Sequence, residues 1–192
     1  MIRKTHMTLL FFTGLMLSSI THAAIMFIDL NDFFADPSVA VSADGSMATL
    51  TEDPALFSVL LSNDPGLGDP NVIIPEENTL LRFDYDFTEA ADEDNEFGAF
   101  ISDATTGLSL GPNFEFFIDT SSAGTVSFNL TPLTALTLGL QFELNAGFTD
   151  TSFDSSLVIE NVQLVSVSEP STICLLLAAL MALKAIRRKK PS

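Results

Sequence analysis

Asp92, Glu93, Asp94, Asn95 and Glu96 place five oxygen-bearing side chains in succession. Calcium takes about 6–8 oxygen ligands from carboxylates, amides, backbone carbonyls and water. A loop of this composition is therefore a candidate cation wrap, with Asp92, Asp94, Asn95 and Glu96 as the candidate ligands. The spacing is not that of an EF-hand, because Phe97 stands sixth from Asp92, where the sharp turn needs glycine, and Gly98 comes one place late. A solvated acidic loop is the other reading of the same residues. Weaker candidates of the same kind are Asp64, Asp69 and Asn71, and the pair Asp150 and Asp154. Calcium is the one cofactor the sequence raises, and no residue pattern requires it.

Arg82 is the single base between residues 24 and 167, where it faces 24 acids, so this stretch carries a net charge of −23 while the whole chain carries −17. The same stretch has no His, Cys, Lys or Trp, and its one Tyr is Tyr85. A Ser-His-Asp triad, a Cys-His pair, a Schiff-base lysine and a nitrogen- or sulfur-ligated zinc all need side chains that are missing. A phosphate-gripping lysine and a basic patch for nucleic acid are missing too. No catalytic residue is assigned and the chain reads as non-enzymatic. A carboxylate pair working as a small glycoside hydrolase is the enzymatic alternative. On an extended strand Arg82 shares a face with Asp84 and Asp86, neighbours about 7 Å apart. A structural ion pair is the plain reading; an arginine that reads a sugar is the sharper one.

Period-two patterning identifies the elements that carry these residues. Leu81, Phe83, Tyr85 and Phe87 alternate with Arg82, Asp84, Asp86 and Thr88, which puts the apolar set on one sheet face. Val126, Phe128 and Leu130 repeat the pattern, as do Leu136, Leu138, Leu140, Phe142 and Leu144. Weaker runs cover 97–102, 113–119 and 156–165, and residues 55–61 suit either a strand or one helical turn. Asp44-Gly45 between Val39–Ser42 and Ala48–Thr51 is a hairpin signal. About eight half-polar strands with no sustained helical repeat predict an all-β, antiparallel β-sandwich of jelly-roll type over residues 24–167.

The two ends are composed differently. Arg3 and Lys4 precede a mostly apolar run from Met7 to Ile20, and Thr21-His22-Ala23 supplies small residues for cleavage between Ala23 and Ala24. Residues 1–23 thus read as a signal helix, handled by the Sec translocon and signal peptidase; an uncleaved membrane anchor is the alternative. At the other end, Ser168-Glu169-Pro170-Ser171-Thr172 precedes an apolar stretch, 173–186, and the cluster Arg187, Arg188, Lys189, Lys190. A helix over 173–186 is about 21 Å long, so it spans the membrane only with Lys184 snorkelling toward the head groups. Retention of the basic cluster in the cytoplasm leaves the acidic body outside.

That order of motif, short apolar helix and basic cluster resembles the PEP-CTERM sorting tail of Gram-negative bacteria, with Ser168 in place of the first proline. The resemblance implies processing by an exosortase near Glu169-Pro170, an inner-membrane intermediate, and delivery to the cell surface or extracellular matrix. An ordinary C-terminal membrane anchor is the alternative. The body also resembles a carbohydrate-module-like ectodomain common among proteins with this tail. The residues that carry this likeness are 81–85, the acidic loop 92–96, and Glu160-Asn161-Val162-Gln163-Leu164, where Glu160 replaces the more usual Asp. Together these readings predict an exported surface or matrix protein that meets extracellular polysaccharide through divalent ions. A calcium-assisted carbohydrate-binding module is the runner-up. Sugar platforms use exposed aromatic faces, and the absence of Trp together with an inward Tyr85 counts against tight glycan binding.

Overall fold

A computed structural model describes residues 24–64, 67, 73–90, 94–148 and 152–166. The expected signal helix over 1–23 and apolar helix over 173–186 lie outside them. Among the described residues no helix is long and apolar enough to cross a membrane. Ala24–Ser166 forms one compact unit.

The described residues form two antiparallel sheets that share one core, a β-sandwich. The first sheet is built on β12 (Ser156–Ser166), the last strand in the chain, which lies between β6 (Thr79–Thr88) on one flank and β4 (Met47–Thr51) on the other. Beyond β6 lies β10 (Ser122–Asn129), and beyond β4 lies β3 (Val39–Val41). β1 (Ala24–Phe27) continues the β4 flank, pairing with residues 163–166 of β12. The second sheet is built on β11 (Leu138–Asn145), between β5 (Ser58–Ser62) and β7 (Glu96–Asp103). β2 (Phe34–Ala35) covers the end of β5, while β8 (Leu108–Ser109) and β9 (Glu115–Ile118) pair with successive parts of β7.

The alternating residues close this core as their pattern requires. Leu81, Phe83 and Phe87 on β6 and Phe128 on β10 are buried from one side; Phe97, Ile101, Leu140, Phe142 and Leu144 are buried from the other. Phe83 sits at the middle, with its ring centroid 5.0 Å from that of Phe142 in an edge-to-face contact and 6.2 Å from that of Phe128. Full burial of one such side chain contributes about 1.5–3 kcal/mol, and edge-to-face pairing adds to it. Tyr85 faces inward as expected, against Phe97 and Phe116.

Two details depart from the pattern, and one open reading is settled. The run from Leu136 begins two residues late, because Ala135 takes a left-handed turn (φ 72°) and leaves Leu136 exposed outside the strand. Residues 58–62 are a strand, and the preceding residues form a turn. On β12, Leu157 and Ile159 are buried, and then Val162 and Leu164 are; the inward set changes from odd to even numbers. A β-bulge between Glu160 and Gln163, with Asn161 at φ 55°, absorbs the extra residue.

Candidate functional site

The acidic segment before β7 meets the body at a buried polar clasp. Asn95 is fully buried, and its Nδ2 donates to Glu52 Oε1 (2.5 Å) and to Ser155 Oγ (2.7 Å). Its Oδ1 accepts from the Gly147 amide (2.6 Å). Glu52 Oε2 in turn accepts from the Ser155 amide (2.7 Å), and Ser155 Oγ accepts from the Ala90 amide (2.8 Å). Three connections, β4–β5, β6–β7 and β11–β12, are therefore tied at one end of the sandwich. Buried polar atoms are ordinarily paired, and every group named here is.

Of the candidate calcium ligands, Asp92 lies outside the described residues, as does Glu93. Asp94 is exposed and lies against Gly147, and Glu96 is half-buried at the start of β7. Among the described residues no three His, Cys, Asp or Glu side chains converge on one point. Of the weaker candidates, Asp64 accepts from Ser102 Oγ (2.7 Å), Asp154 is exposed, and Asp69, Asn71 and Asp150 lie outside the described residues. The sorting residues Ser168, Glu169, Pro170, Ser171 and Thr172 and the residue Ala23 also lie outside them; Ala24 opens β1.

Carboxylates are held individually by hydroxyls and amides. Asp44, in the β3–β4 turn, accepts at Oδ1 from Ser42 Oγ (2.7 Å), Ser46 Oγ (2.8 Å) and the Ser46 amide (3.3 Å). These donors favour the ionised form and lower its pKa from 3.8 to about 2. Gly45 takes φ 67° there, and a side chain on it would run into the Asp29 carboxylate. Between this turn and β12 lies a depression of about 150 Å³ lined by Phe27, Asp29, Asp44, Ser46 and Asn161, room for a few waters. Asp84 accepts from Thr125 Oγ1 and from Asn161 Nδ2 (2.9 Å), which hold its carboxyl below the ordinary value. Arg82 shares that face and assists by charge, the smallest of the lowering effects.

The outward face of the β11 sheet was not anticipated from the sequence. Of 15 Phe between residues 24 and 167, six are buried, yet Phe34 and Phe117 are exposed and Phe100 is half-buried. The register aligns Phe34, Ser62, Gln141, Phe100 and Glu115 in one row, and Leu60, Glu143, Gly98 and Phe117 in the next. The signal was present: once Phe97, Ala99 and Ile101 face inward, Gly98, Phe100 and Ser102 must face outward.

No family model matches the chain, and no curated protein matches it.

Proposed function

We propose that this chain is an exported, non-enzymatic protein of the cell surface or extracellular matrix of a Gram-negative bacterium, sorted by a PEP-CTERM/exosortase-type system. The observation that carries this reading is the partition of charge and hydropathy: seven of the eight bases lie in the two flanking segments, beside apolar runs, and the body between them holds 24 acids and Arg82. The Sec translocon and signal peptidase act at Ala23/Ala24. An exosortase-like enzyme acts near Glu169-Pro170, while residues 173–186 hold the intermediate in the membrane. The acidic body then meets acidic extracellular polymer through divalent cations, since direct contact is repulsive.

The body is a jelly roll in this reading. Support comes from the strand order β4-β12-β6-β10 facing β5-β11-β7-β9, with the chain changing sheets at nearly every step from β4 to β12. Intact-mass spectrometry of the protein from its native host tests the sorting. The expected ends are Ala24 and a residue between Glu169 and Ser171. An exported form that retains Arg187–Lys190 overturns exosortase processing in favour of a simple anchor.

A further inference from the structure

We propose that the outward face of the β11 sheet binds an uncharged polysaccharide chain laid across the strands. The inference does not rest on the sorting reading, because the face is the same whichever way the chain ends are processed.

The outward face of an antiparallel sheet is ordinarily polar. Here it carries aromatic rings on both flanks and a polar ladder between them. Phe117 is 46% exposed, and its ring centroid lies 4.9 Å from that of Phe100 in an edge-to-face contact. Both rings lie on Gly98: a Cβ at that position would come 2.9 Å from Phe100 Cε2 and 3.4 Å from Phe117 Cε1. A side chain there would push the Phe100 ring away, so the pair rests on the bare backbone of Gly98. On the opposite flank Phe34 is 38% exposed. Ser62 beside it is fully buried, so the open part of the row runs from Gln141 on β11 to β9, two interstrand spacings or about 10 Å.

Between the flanks runs central strand β11. Gln141 Nε2 donates to Glu143 Oε1, and Asn145 Nδ2 donates to Glu143 Oε2 (3.4 Å). Glu143 is therefore oriented from both sides before any ligand arrives, which reduces the ordering cost of binding. A carboxylate with neighbouring amide carbonyls presents acceptors to hydroxyl donors, and rings beside it take the C–H faces of a sugar.

Charge selects the kind of polymer. The rows hold Glu143 and Glu115 and no base, and Arg82, the one base between residues 24 and 167, belongs to the other sheet. An acidic polymer is repelled from this face, whereas hydroxyls of a neutral one make charge-assisted hydrogen bonds to it.

Native gels cast with laminarin, galactomannan or hydroxyethyl cellulose, and with alginate as the acidic comparison, test the proposal on the purified full chain in EDTA. At least one uncharged polymer is expected to retard the protein, and alginate is expected not to. Phe117→Ala and the double variant Gln141→Ala/Glu143→Ala should each weaken retardation about tenfold, while Phe148→Ala, an exposed ring on the loop after β11 and outside the two rows, should leave it unchanged. Melting temperatures check that the variants fold. Retardation by alginate alone, by no polymer, equally in the face variants, or lost equally with Phe148→Ala overturns the proposal.

Discussion

Ala24 and Ser166 are antiparallel register partners, so the first and last residues of the described body stand side by side at one end of β12. β1 is held there without help from the core. All four of its residues are exposed, Ile25 at 56% and Phe27 at 68%, and the strand is secured by its backbone pairing and by the bond from the Ile28 amide to the Val162 carbonyl (2.9 Å). Segments that carry few buried side chains open at low free energy. Met26→Pro removes an amide from this strand. Hydrogen exchange followed by mass spectrometry should show faster exchange confined to residues 24–28 and 162–166, with the amides of β11 unchanged. Faster exchange throughout would mean that β1 is integral to the core.

The Asn95 clasp makes a sharper stability prediction. Asn95→Ala removes two donated bonds and the acceptor for the Gly147 amide in a fully buried position. Each buried group left unpaired costs about 1–3 kcal/mol. Chemical denaturation should register a loss of about 2–4 kcal/mol, and a loss below about 1 kcal/mol would show that water replaces the side chain.

Acid should act through Asp44 and Asp84. Each carboxyl binds its proton more weakly when folded than when unfolded, so each contributes stability that is full above the ordinary carboxylate pKa of about 4. For Asp44 that contribution disappears as the pH falls through about 2, and Asp84 follows the same direction. Urea midpoints of the wild type and Asp44→Asn should differ by a constant amount from pH 7 to about 4.5, then converge toward pH 2. A difference that holds constant to pH 2 would remove Asp44 from the acid response.

Calcium has its own signature. If the acidic loop wraps the ion, the melting temperature is higher in millimolar calcium than in EDTA, and Asp94→Asn reduces the difference. Equal melting temperatures in the two buffers remove the ion from the account.

Much of the fold was legible because burial on one face imposes period two, and Leu81 to Phe87 could satisfy it in only one register. The short strands β1, β2 and β8 escaped because two to four residues carry too little pattern to detect. The bulge was visible as a change of parity between Ile159 and Val162, a signal that strand assignment by simple alternation passes over. Asn95 was singled out for its oxygen, and its position beside Asp94 concealed that it faces inward. Its partners Glu52 and Ser155 lie 43 and 60 residues away, and no local pattern joins residues at that distance. The Phe100–Phe117 pair was missed for a different reason: alternation turns Phe100 outward, but only the pairing of β7 with β9 brings Phe117 beside it.

The place of β12 also bears on when the body can fold. It is the last strand of the body to be synthesised and the central strand of its sheet, pairing with β1, β4 and β6. A chain threaded through a membrane pore from its N-terminus would deliver this keystone last. Until residue 166 emerges, β1 and β4 have no neighbour to pair with in that sheet except β3, and the aromatic core stays open on one side. Such nonlocal pairing is intrinsically slow to form. In a chain exported in that way, the sheet built on β12 would close only on the far side.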